Sequence, residues 1–320
     1  MTWTRVLLLA LLCGAAAPPG AAANSLRSDV LYALPGRSGQ VGFIDLQTLR
    51  ASPHYDLVKQ RFLPPRFAHF ERFIRSVGVN LDTDLEWVAW ALLPPSPDNP
   101  GELFLGLAQG QFAPEAVEDY FRQQKLPTDD DHGQTLFPFG RGGEHSLYFT
   151  FLDSSTAAFG TRPSLELLLA TRLGEQESLL HNDSLLARIS EVNGRQPIWV
   201  VLDDHYTRLA VRQLLPEVAQ FEQFTQAAQN FRGAALQLEM GREWTLSFQA
   251  WCAEPADAQV ISLLLQTGLA AQSWQVRENN PALSAVLSRA KVSSVGDRLE
   301  LEAEVEEKDL QALLERKALP

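Results

Sequence analysis

The chain has 320 residues, is 45% apolar with 17 Phe and 7 Trp, and sets 39 acidic side chains against 27 basic ones. That apolar content excludes a disordered chain, and the length sets an expectation of about two domains. A formal charge of −12 opposes nucleic-acid binding, which needs Lys and Arg against phosphates, and opposes docking on an anionic membrane surface.

Arg5 precedes an apolar run from Val6 to Ala17, after which Pro18-Pro19-Gly20 and the small tripeptide Ala21-Ala22-Ala23 follow. This layout predicts a secretory signal peptide over 1–23, cut before Asn24, and an exported protein of the periplasm or the extracellular space. The run is too short to span a bilayer, which takes about 20 apolar residues, so no transmembrane span is expected once the leader is gone. Cys13 leaves with the leader, and Cys252 then stands alone. No intramolecular disulfide is expected, and the core has to hold the fold.

Helices are predicted over 53–62 and 65–77. Leu85 to Leu93 and Leu103 to Gln109 read as strands joined by a Pro-rich loop, and both are apolar on each face. Such strands are covered on both faces. Pro114 opens a helix carrying Val117, Tyr120 and Phe121. An insertion near 127–174 starts with Asp129-Asp130-Asp131-His132, expected as a solvated loop because it lacks the spacing of a calcium site. Strands over 135–139, 146–152 and 156–159 follow, with a turn at Gly140-Arg141-Gly142-Gly143 and then a Leu-rich helix. Ile198 to Leu202 is a buried strand. The helical period resumes from Asp203 to Gln229, interrupted at Pro216. Ala234 to Met240 and Trp244 to Cys252 form a hairpin, Pro255 opens a long helix, and Arg298 to Glu306 alternates strictly between apolar and acidic residues.

Two joints recur. Gln111-Phe112-Ala113-Pro114-Glu115-Ala116 carries a strand into a helix as Ala253-Glu254-Pro255-Ala256-Asp257-Ala258 does. Asn182 to Ile189 matches Asn280 to Leu287 in its leading Asn and its leucines. The expectation is an α+β fold of two related domains, 24–229 and 230–320, each an antiparallel sheet with helices packed mainly on one face.

Leu34-Pro35, Gly42-Phe43-Ile44-Asp45-Leu46, the stretch Gly78 to Asp84, Gly106 to Phe112, Phe159-Gly160-Thr161-Arg162 and the Asn182 segment follow one another in a familiar order. This order resembles a loose group of uncharacterised exported bacterial proteins, described only as domains of unknown function. The resemblance implies a secreted or periplasmic protein and brings no active site with it.

Motifs for nucleophilic hydrolysis, zinc proteolysis, nucleotide binding or thiol redox chemistry are missing from the sequence. No cofactor or metal is called for. Asp203, Asp204 and His205, at the end of a buried strand, are the candidates for acid–base or metal chemistry, and the competing expectation is that an Asp there caps the next helix. Trp244 and Trp251 are assigned to the polar sheet face beside Ser247, Gln249 and Glu239, as candidates for a binding surface. Glu300, Glu302 and Glu304 give that face its charge, and Glu300 and Glu302 with Trp251 are the candidates for docking a basic partner. Three functions stay open: non-enzymatic binding of a protein partner or apolar ligand, a hydrolase or metal enzyme on Asp203, Asp204 and His205, and a structural envelope component.

Overall fold

The computed structural model describes residues 25–51, 55, 75, 80, 82–97, 99–139, 147–214, 222–240 and 243–315. The expected leader, most of the helices over 53–62 and 65–77, the turn at Gly140–Gly143 and the break at Pro216 lie outside these residues. The class is α+β, with antiparallel pairing throughout the described ladders. No described helix is long and apolar enough to cross a membrane.

The two compact units part between Ala187 and Arg188, inside one helix, with Ala51 and Tyr55 also grouping with the later unit, rather than at the 229/230 boundary the sequence suggests. The reason is strand pairing. Ile198–Leu202 pairs with Phe231–Met240 over five residues, from Ile198 opposite Leu238 to Leu202 opposite Ala234, which draws everything from residue 188 onward together.

In the N-terminal unit α1 (Ser28–Ala33) leads to β1 (Gln40–Asp45) and α2 (Leu46–Arg50). Buried Asp45 starts α2: its carboxylate accepts the N–H groups of Gln47 and Thr48 and the Thr48 hydroxyl. Then come β2 (Leu85–Leu93), β3 (Leu103–Gly110), α3 (Pro114–Gln124), β4 (Asp129–Asp131), β5 (Gln134–Phe139), β6 (Leu147–Phe151), β7 (Thr156–Thr161), α4 (Arg162–Arg172) and the start of α5 (Asp183–Val192), whose residues from Arg188 onward belong to the C-terminal unit. The sheet order is β1-β2-β3-β7-β6-β5-β4. Helices lie on both of its faces, as the doubly apolar strands require. Ser164 of α4 presses on Gly160, where a Cβ would come 2.4 Å from its hydroxyl oxygen. Val117 and Phe121 of α3 pack on the opposite face with Ala108, Phe137 and Phe149. Phe137 stacks on Phe149 at 5.2 Å and meets Phe121 edge-on at 4.9 Å, so the rings fill each other's space.

One row across that second face alternates glycine with large rings. Gly42 of β1 lies opposite Trp90 of β2, and Gly106 of β3 lies opposite Phe159 of β7. A Cβ on Gly42 would fall 2.2 Å from the Trp90 ring, and one on Gly106 would fall 2.2 Å from the Phe159 ring. The rings therefore lie across the neighbouring strand, in space that only glycine leaves open.

The C-terminal unit continues with β8 (Ile198–Leu202), α6 (Asp204–Leu214), α7 (Glu222–Ala228), β9 (Phe231–Met240), β10 (Trp244–Cys252), α8 (Pro255–Val276), α9 (Pro281–Arg289), β11 (Lys291–Val295), β12 (Arg298–Val305) and α10 (Glu307–Glu315). Its strand order is β11-β12-β10-β9-β8. α8 buries Ala258, Ile261, Leu265 and Leu269 as its sheet-facing stripe. Gln266, also on α8, reaches over β11 and donates its side-chain amide to the Val292 carbonyl at 2.8 Å.

The two joints singled out in the sequence fold alike locally. Pro114 and Pro255 each open a helix at its first turn, where the missing N–H costs nothing. Asn182 and Asn280 each accept a backbone N–H three residues on, from Leu185 and Leu283, both at 3.1 Å.

The glycine row yields a sharp contrast. Gly42→Ala forces the Trp90 ring to move and is expected to destabilise the fold by about 1–3 kcal/mol, the usual range for overpacking. Gly101→Ala meets nothing within 4 Å. It should stay within about 0.5 kcal/mol of the parent, as surface changes do. Urea unfolding of the two variants measures the difference.

Candidate functional site

Asp203 follows the fully buried strand β8 and serves as the N-cap of α6. Its Oδ1 accepts the Tyr206 N–H at 2.8 Å, and its carbonyl accepts the Thr207 N–H at 3.0 Å and the Thr207 hydroxyl at 2.5 Å. Burial pushes the Asp203 carboxyl above its usual range, outweighing the pull of the Tyr206 bond. Asp204 turns away to pair with Arg208 one turn along, at 2.8 Å. His205 is exposed, its ring edge-on to Tyr206 at 5.3 Å. The three side chains thus do not converge on one point. Among the described residues no three His, Cys, Asp or Glu groups are placed to hold a metal ion.

The two tryptophans separate. Trp244 has the parity of Phe248, Ala250 and Cys252, and at 3% exposure it belongs to the core, which corrects its assignment to the polar face. Trp251 does lie on the polar face, in a row across three strands: Arg298 on β12, Trp251 on β10, Gly233 on β9. Arg188 of α5 fills the space above Gly233 and donates to the Arg232 carbonyl. A Cβ at Gly233, whose φ is +153°, would come 2.6 Å from the Arg188 guanidinium carbon. The Trp251 ring has Arg188 at 5.5 Å and Arg298 at 5.1 Å from its centroid, both in cation–π range. Glu191 balances Arg298 at 3.3 Å. The sequence reading missed Arg188. Its signal is Gly233, a strand glycine opposite a tryptophan.

The acidic candidates sit on the same face of the sheet. Glu300 lies between Ser293 and Gln249, Glu302 between Lys291 and Ser247, and Glu304 beside Thr245. Lys291 comes within 3.3 Å of Glu304 and 3.9 Å of Glu302. Ser247, Gln249, Lys291, Ser293, Glu300 and Glu302 line a shallow depression of about 190 Å³.

The second acidic cluster is a hairpin rather than a loop. His132 and Gly133, with φ of 46° and 74°, turn β4 into β5. Asp129 pairs with Arg162 at 3.0 Å. His132 bridges Asp131 at 2.7 Å and Glu175 at 3.2 Å, and the bond to Asp131 above all holds the imidazole above its ordinary value. These carboxylates already have partners within the chain, Asp130 accepting from the Thr135 hydroxyl at 3.4 Å.

No family model matches the chain, and no curated protein matches it. Among solved structures it is similar to one titled "Structure of crystal form I of TP0453", with 12% identity and a TM-score of 0.46, covering 92% of this chain and 98% of that one. A likeness at this level assigns no function to either chain.

Two outcomes follow for side chains near the site. Asp203→Ala removes the α6 cap and is expected to cost about 1 kcal/mol, whereas Asp204→Ala loses a partly exposed i,i+4 helical pair and should cost about 0.3–0.5 kcal/mol. Chemical denaturation separates them, and equal losses would contradict the capping role. Cys252 is 2% exposed, and burial, reinforced by the charges of Asp257 and Asp297, pushes its thiol up to about 12. A thiol-specific chromogenic disulfide reagent at neutral pH should leave Cys252 untouched in the folded chain and label it fully in denaturant.

Proposed function

We propose that the chain is an exported, non-enzymatic binding protein whose C-terminal sheet docks a basic protein partner on its outer face. The observation that carries this reading is the row Glu300, Glu302 and Glu304, which borders a depression and, among the described residues, has Lys291 as its ion-pair partner. Carboxylates set two residues apart on one strand repel each other by a few tenths of a kcal/mol or more, and a basic partner turns that cost into attraction. Export is supported by the leader-like first 23 residues, and the lone buried thiol suits a compartment where free cysteines are oxidised. Against the enzymatic alternative stands the use of Asp203 as a helix cap and of Asp204 in an ion pair. Against an apolar ligand in the N-terminal unit stands the ring-to-ring packing of Phe121, Phe137 and Phe149.

The test is affinity capture from envelope extract with the leaderless chain as bait. A basic protein should be retained at low salt and released near 1 M, where the screening length falls to about 3 Å. The double variant E300Q/E302Q should lose it while melting at the parent temperature. Capture that ignores both salt and the double substitution overturns the reading.

A further inference from the structure

The outer face of α8 is the most unusual surface of the C-terminal unit. From Ala258 to Val276 the helix carries no Asp, Glu, Lys or Arg, in a chain of net charge −12. Its inward stripe is Ala258, Ile261, Leu265 and Leu269, so an amphipathic helix would place charge outside. Here the outside holds Val260 at 42% exposure, Leu263 at 65% and Trp274 at 78%, with exposed Thr267, Ala270 and Ala271 between them. Large apolar groups left in water along one helix face mark an interaction surface.

We infer that this face binds a second copy of the same chain, α8 against α8, antiparallel about a two-fold axis. Two arguments choose that occupant. The first is charge: two copies each at −12 repel wherever their surfaces are acidic, and this uncharged helix is where they can meet without setting carboxylate against carboxylate. The second is symmetry. A two-fold interface demands that if residue i meets residue j, then j meets i. An axis midway between positions 268 and 269 satisfies this with the side chains present. Leu263 of each copy then faces Trp274 of the other, and Thr267 faces Ala270. Small groups at the crossing point let the backbones approach, while the two large pairs close over each end.

Size sets the strength. A 22-residue helix is about 33 Å long and about 10 Å wide, so the pair covers roughly 330 Å² per copy, below the roughly 800 Å² of a standard stable interface. The dimer is therefore reversible and falls apart on dilution. The experiment is sedimentation equilibrium of the leaderless chain over a concentration series, with circular dichroism to confirm that each variant folds. The parent should move from the mass of one chain to that of two as concentration rises. L263E and W274E, both at exposed positions, should stay at one. L263E/W274K should regain the dimer, because each copy's new acid lands beside the other's new base, and added salt should weaken it. A parent that remains monomeric overturns the inference, as does self-association that survives both single variants. Failure of the paired variant to recover overturns the two-fold register. Binding of the monomer to phosphatidylcholine vesicles without self-association gives the face to lipid and likewise overturns it.

Discussion

Room left by missing side chains governs how the strands of each unit are covered. Trp90 and Phe159 lie across Gly42 and Gly106, and Arg188 with Trp251 occupies the space over Gly233. A strand glycine is ordinarily a weakness, because it packs nothing and loses more freedom on folding than other residues. Laid against a large ring from the next strand, it becomes a seat. In the N-terminal unit the seats hold aromatic rings, and the result is a continuous apolar layer for α3 to close. In the C-terminal unit the seat holds a guanidinium, so the outer face ends in a clamp of two arginines around a tryptophan.

The clamp also sorts charge along the C-terminal sheet. Arg188 and Arg298 gather at the Trp251 end, and Glu300, Glu302 and Glu304 extend toward the other, in the direction of Trp244. Because Glu191 answers Arg298 and, among the described residues, Lys291 alone forms ion pairs with the glutamates, the face is polarised along its strands. The opposite side of the same unit carries α8, which holds no charged side chain from Ala258 to Val276. One unit thus presents two faces of unlike chemistry.

Much of this was legible in the sequence where the signal is local. The alternation from Leu299 to Val305, the prolines opening α3 and α8, and the Asn caps at 182 and 280 depend on neighbours a few residues away, and all appear where periodicity and capping chemistry put them. The Asp203 cap belongs with them. What stayed hidden depends on partners distant in sequence. The pairing of β8 with β9 moves the unit boundary by about forty residues, yet nothing in Ile198–Leu202 names Phe231–Met240 as its partner. Arg188 reads as an ordinary helix residue until Gly233 makes room for it. Trp244 differs from its expected face for a narrower reason: its even parity puts it with Phe248 and Ala250, and its polar neighbours Glu243 and Thr245 obscure that.

The bond from Gln266 to the Val292 carbonyl has a bearing on how this protein survives at high concentration. β11 closes its sheet among the described strands, and an outermost strand with open carbonyls is a template on which other chains stack into fibrils. Gln266 occupies the Val292 carbonyl of that strand, and Lys291 stands at its head with a charge. Growth of the sheet by addition of further strands is thereby discouraged along β11.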